Sequence, residues 1–325
     1  MTQIIRAEEE IKCPLQRSKL NIKGLGDWVV NPTKGCPYGC RFCYVSSTPI
    51  IRTSKKQFNQ LGILDPLMEW GNYQIIRQDI PQKLEEKLAR MRTWHSSIAG
   101  QGVVLFSSEC DPCPDRRVTE ITMKSIEILR KYGKRVRLLT RSTLWTNHLE
   151  LLQDPGIIVG MSLPHLNDEW GRQVEVRAPL PSDRYEALLK GKKAGVRLFV
   201  ALAPALPMMG VAEFRRHLEK LMVLEPEVIF YESINGRGVN IKRMVDAGLD
   251  FAKPLVSERV RAENFLRQWE QIEEAARQVG CLDKLHIWPD KSLKKYTESE
   301  RVEQWLYKQT PEKWMDEQLA LPNAS

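Results

Sequence analysis

The chain has 325 residues, 42% hydrophobic and 28% charged, an ordinary globular balance that allows one elaborated domain or two. No run of about 18 uncharged apolar residues occurs, which excludes a membrane-spanning helix. The formal net charge of +8 and a pI near 9.1 suit nucleic acid or another anionic partner, although the charges are dispersed enough to be a solvated basic surface.

The start, MTQIIRAEEEIKCPL, is acidic and lacks an apolar signal core, so a cytoplasmic protein is expected. GDWVVN then reads as a strand leading into NPTKGCPYGCRFCYV, which holds Cys36, Cys40 and Cys43. Residues 44–79 follow as a long mixed connection, and loops of that length are usually functional or inserted. Five further apolar runs read as strands covered on both faces: GVVLFSS, RVRLLTR, IIVGMSL, VRLFVALAP and EVIFYES.

Helical patterns separate these runs. Val118, Ile121, Ile128, Leu129 and Tyr132 share one stripe, and Val211, Phe214, Leu218, Leu221 and Met222 share another. Ser182 is placed to cap a helix carrying Tyr185, Leu188 and Leu189, while Gly133 and Gly195 sit where helices should end. Residues 257–325 read as helical. Phe265, Leu266, Trp269, Ile272, Ala276 and Val279 form a stripe there, and Thr310–Pro311 opens a last helix.

Six strands alternating with helices imply right-handed βαβ units and a parallel sheet. The expected fold is therefore α/β, a partial (β/α)6 TIM-like barrel with a C-terminal helical extension; an open doubly wound sheet is the rival. The expected organisation is an N-terminal extension over 1–22, a core over 23–256 that carries the 44–79 connection as an insertion, and a helical part over 257–325.

Seven cysteines, odd in number and unevenly spread, favour metal or redox chemistry over a disulfide framework. Three of them fall in a glycine-bearing loop with C-x3-C-x2-C spacing. Three thiolates so placed can hold three corners of a 4Fe–4S cluster and leave one iron open. Gly35 and Gly39 would let the backbone wrap closely around it. Structural zinc is the alternative, but it prefers four protein ligands and no second pair is evident. Buried free thiols are a further alternative.

Cys36, Cys40 and Cys43, with Phe42 just before the last cysteine, resemble the signature of the radical S-adenosylmethionine (SAM) superfamily. Further stretches resemble its spore photoproduct lyase-like branch, known broadly as DNA-repair-photolyase-like. NPTKGCPYGCRFCY is similar to that branch's opening motif, SSECDPCPDRRVTEITMKSIEIL to its second-strand loop and helix, and VRLLTRS to its third strand end. The likeness spans roughly residues 22 to 235; the helices beyond match nothing in the branch. It implies a partial barrel, a 4Fe–4S cluster whose open iron binds SAM, and a 5′-deoxyadenosyl radical that abstracts hydrogen from substrate. It also implies a reductant such as flavodoxin or ferredoxin.

By residue, the resemblance implies that Phe42 lines the SAM adenine through its backbone. Glu109 or Asp111 would meet the SAM amino group or ribose. Thr140 and Arg141 end the third strand, where an arginine can grip the SAM carboxylate with two hydrogen bonds. Ser162 is expected at the ribose or carboxylate. Cys110 and Cys113, in ECDPCPD, resemble the position of a thiol that returns hydrogen to a product radical, although their spacing from the cluster motif departs from the lyase pattern. His165 is expected in a loop or at the cavity, and His217 on the surface. The leading expectation is a radical SAM enzyme acting on a nucleic-acid base, in DNA repair or modification. The alternatives are a radical SAM enzyme on a small molecule or peptide, and a non-catalytic Fe–S or zinc nucleic-acid-binding protein.

Overall fold

A computed structural model describes residues 3–96, 102–306, 308 and 310–312. All six expected strands are present: β1 Trp28–Val30, β2 Val104–Phe106, β3 Val136–Thr140, β4 Ile157–Ser162, β5 Leu198–Ala205 and β6 Ile229–Ser233. They pair in sequence order, every pair parallel. Consecutive parallel pairing puts all the strand C-termini at one edge, where α/β folds collect ligands.

The intervening helices are α1 Ile80–Arg90, α2 Arg116–Lys131, α3 Leu149–Leu152, α4 Asp168–Val174, α5 Pro181–Lys193 and α6 Val211–Met222. Asp115 caps α2 by accepting from the Val118 amide, and Gly133 and Gly195 take the left-handed conformation that stops α2 and α5. Ser182 is not a cap. Pro181 already occupies the first turn of α5, and the Ser182 hydroxyl donates to Asp168 at 2.7 Å.

Side chains alternate along the strands. Val104, Phe106, Leu138 and Val159 pack against the helices, whereas Leu105, Ile158, Phe199 and Phe230 form a separate cluster on the inner face. The two faces of one sheet thus serve as outer core and cavity wall.

The C-terminal part carries the expected long helix, here α8 Glu258–Val279 after α7 Asn240–Asp246, with Trp269 in the core. It also carries a strand that its helical pattern hides. β7, Leu285–Ile287, pairs parallel with β6 and extends the sheet. Thr310–Glu312 form no helix, and the remainder of the expected last helix lies outside the described residues.

The 44–79 connection is built, not loose. It holds helices Pro49–Thr53 and Lys55–Gln60 and a strand, Tyr73–Ile76. That strand lies between Ile5–Glu8 and Thr33–Lys34 in a small second sheet. Ile51, Phe58 and Tyr73 are fully buried against the cysteine loop, each contributing about 1.5–3 kcal/mol to that docking.

Candidate active site

The cysteine loop leaves β1 and is fixed at several points. The Asn31 side-chain oxygen accepts from the Ser108 and Glu109 amides at 2.9 and 3.2 Å, tying the end of β1 to the loop after β2. Lys34 and Arg77 both bond Glu9, at 2.8 and 2.7 Å. Burial pushes the Glu9 carboxyl up, but hydrogen bonds from Lys34, Arg77 and Gln57 outweigh it and hold the group below the usual range. The loop's carbonyls are captured as well. Arg177 donates to Pro37 at 3.0 Å, Asn240 to Phe42 at 2.8 Å, and Arg243 to Cys43.

Gly35 and Gly39 also serve a second purpose. Both have positive φ, but a Cβ on Gly35 would strike the Tyr73 ring at 2.5 Å and one on Gly39 would approach Gly71 at 3.1 Å. They let the loop press against the 44–79 segment as well as turn.

Cys36, Cys40 and Cys43 border one cavity at the strand C-termini, which encloses about 1200 Å³ of empty space, part of it open to solvent. Burial raises all three thiols, Cys40 to about 12. The other walls come from Ser107, Cys110 and Asp111 after β2, Thr140 and Arg141 after β3, and Ser162 on β4. Glu232 on β6 and Trp288 after β7 close the far side with Lys23. Lys23 bonds Glu232 at 2.5 Å.

The predicted residues fare unequally. Asp111 is buried and committed: its carboxylate accepts from the Thr140 hydroxyl at 2.7 Å, the Arg141 amide at 2.7 Å and the Cys113 amide at 2.9 Å. It braces the ends of β2 and β3, although burial still raises its carboxyl above the ordinary value. Glu109 is absent from the cavity lining. Its carboxylate turns toward Arg77, 3.8 Å away, because the backbone there is held by Asn31. Phe42 lines the cavity under the Arg141 guanidinium, 5.3 Å from its ring centre, and its carbonyl keeps one lone pair beside the Asn240 bond.

Cys110 and Cys113 part company. Cys110 reaches the cavity with its sulfur 3.1 Å from the Ser107 hydroxyl, and burial pushes its thiol up to about 11. Cys113 turns away into the outer core, fully buried beside Thr119, because the Asp111 side chain closes a tight turn on its amide. Its expected place at the reaction centre does not hold. His217 is buried, not exposed, its ring 2.9 Å from the Leu163 carbonyl, and His165 packs on Trp170 in a different cleft. Burial lowers both imidazoles to about 4, so they are neutral near pH 7.

The sequence reading missed the ion cluster behind Arg141. Glu175 accepts from Arg141 at 2.8 Å and from both terminal nitrogens of Arg184, which also donates to the Ser162 carbonyl at 2.5 Å. Two guanidinium groups against one carboxylate leave a positive surplus beside the cavity. Arg243 was missed too. Its Nε and Nη1 are buried without a hydrogen-bond partner, next to Cys43 and Cys40.

These features fit a bound anionic iron–sulfur group. The three loop thiols border one cavity, and thiolates are the usual ligands of such a group. A buried guanidinium with orphaned N–H groups calls for negative charge at the same place.

The family model described as Radical SAM superfamily matches residues 30–221. The chain belongs to the radical SAM superfamily. It is a radical SAM enzyme, and its cofactors are those of the superfamily, a 4Fe–4S cluster and SAM; such enzymes need a reductant. Among relatives of this radical SAM chain, an uncharacterised protein of Acidianus two-tailed virus is 28% identical over 256 residues, which is 75% of this chain and 77% of that protein. An uncharacterised protein of Methanocaldococcus jannaschii is 23% identical over 183 residues, 55% of this chain and 61% of the relative. Spore photoproduct lyase with bound AdoMet and dinucleoside spore photoproduct has the same fold, with a TM-score of 0.61 at 12% identity over 87% of this chain and 81% of the lyase. No helix among the described residues is long and apolar enough to cross a membrane.

Proposed function

We propose that this radical SAM enzyme binds its cluster through Cys36, Cys40 and Cys43 and acts on a nucleobase-containing substrate in the cytoplasm. The observation that carries the cluster assignment is the convergence of these three loop cysteines on one cavity at the strand ends. When bound, the cluster and SAM supply a 5′-deoxyadenosyl radical that takes hydrogen from the substrate. The chain's own residues orient and shield. Arg141, held by Glu175, presents positive charge to the SAM carboxylate, and Thr140 and Ser162 offer polar contacts on the same edge. Aromatic and aliphatic side chains such as Phe42, Leu105, Leu139 and Trp288 line part of the cavity and limit water around a radical.

The nucleobase reading is supported by the net charge of +8 and by the shared fold with a lyase whose bound ligand is a dinucleoside photoproduct. A flavodoxin- or ferredoxin-type reductant fits the need for one electron. Anaerobic incubation with deuterated candidate substrates, including DNA oligonucleotides and peptides, tests the reading. Deuterium should enter 5′-deoxyadenosine only with the nucleic acid, whose binding should weaken steeply with salt. Transfer from a peptide or small molecule alone would reject the nucleobase assignment.

Cys110 is proposed as the thiol that hands a hydrogen atom back to the product radical and is left as a thiyl. The variant Cys110→Ala is expected to cleave SAM at close to the normal rate but to release altered or trapped product, seen by mass spectrometry. Normal product at the normal rate would remove Cys110 from the chemistry. Cys113→Ala, in the core, should lose stability by about 1 kcal/mol and give unchanged product.

A further inference from the structure

Arg243 sits on α7 behind the cysteine loop and does not line the cavity. Its Nη2 donates to the Cys43 carbonyl, while Nε and Nη1 are buried with no partner. Other buried arginines of this fold each meet a carboxylate: Arg77 meets Glu9, Arg137 meets Glu312, and Arg184 meets Glu175. Arg243 has none of these; the groups that act on it are the thiols of Cys43 and Cys40 and the phenol of Tyr73. A guanidinium does not deprotonate in proteins, and burying one without an anion is costly. Among the described residues, the fold therefore keeps a fixed cation beside two cysteines, thiolates once they ligate iron, and the neutral Tyr73 phenol.

We propose that Arg243 is the counter-charge of the iron–sulfur group, a positioning residue that secures Cys43 and makes the cluster easier to reduce. Three thiolates outweigh the charge of the oxidised cluster core, and reduction adds one more electron. Net charge and hydrogen bonds to the sulfurs set such potentials. Arg243 favours the more negative state and does so from outside the cavity, where it leaves room for SAM. Arg141, by contrast, lines the cavity and is already bonded to Glu175. This inference rests on the cysteine assignment above.

The test compares the full chain with Arg243→Gln and Arg243→Lys, each reconstituted anaerobically and titrated by EPR without SAM or substrate. The glutamine variant should be at least tenfold harder to reduce, about 59 mV for a one-electron couple, and the lysine variant close to wild type. Without iron the order reverses. The glutamine variant, freed of a buried charge, should melt at or above the wild-type temperature, whereas a residue that only braced the loop would lower it. A loaded glutamine variant with the wild-type potential, a lysine variant shifted as far as glutamine, a clear drop in metal-free melting temperature, or loss of the cluster in both variants would each overturn the proposal. Loss in the glutamine variant alone supports it. A wild-type chain that loads no cluster would reject the cysteine assignment itself, and this inference with it.

Discussion

Alanine at Cys36, Cys40 or Cys43 is expected to abolish the cluster and reduce SAM cleavage to background while leaving the chain folded. Each thiol would hold one corner, and two remaining thiolates do not retain a 4Fe–4S cluster against exchange. The fold should survive because the loop does not depend on the metal for its shape. Arg177 and Asn240 grip its carbonyls, and the 44–79 segment packs over it. Wild-type protein reconstituted without oxygen should carry about four irons per chain, and each variant close to none, with unchanged far-ultraviolet circular dichroism. Stoichiometric zinc in protein purified without oxygen, and no cluster on reconstitution, would sink the assignment.

The second large effect is on stability. Glu175→Gln should destabilise the chain by about 3–5 kcal/mol, because it strands the Arg184 charge in a fully buried place and removes the partner of Arg141. Urea unfolding midpoints measure this, and a loss below about 1 kcal/mol would show that the pair is not stabilising. The double variant Glu175→Leu with Arg184→Met should cost less than Glu175→Gln alone, since it removes the stranded charge as well. The pH dependence has a definite sign. Burial pushes the Glu175 carboxyl up, but Arg184 and Arg141 outweigh it and hold the group below its ordinary value. Its contribution is therefore complete above the unfolded carboxylate range, near pH 4.3, and is lost only as pH falls through the lower folded value.

The strands were legible because each is a short apolar run closed by polar or glycine residues, and the cysteine loop because its spacing is unusual in any core. β7 was not, since three residues centred on His286 carry no strand period. The parting of Cys110 and Cys113 also escaped sequence reading: C-x2-C spacing says nothing about which thiol a hydrogen-bonded turn sends inward. His217 could have been placed. It lies three residues after Phe214 and four before Leu221, on the apolar face of α6, and only its polarity argued for the surface. Glu175, Arg184 and Arg243 left no signal, because charges brought together from separate loops and helices have no local pattern.

The ion pair of Arg137 and Glu312 joins a strand near the middle of the chain to a residue 175 positions later, both side chains fully buried. A growing polypeptide that has already laid down β1 to β7 still lacks this carboxylate inside the sheet. So does any shortened version cut at the end of the superfamily match, residue 221, or even after α8. The superfamily match thus stops well short of a carboxylate that a fully buried arginine depends on, and a cut made before residue 312 would strand that charge inside the sheet.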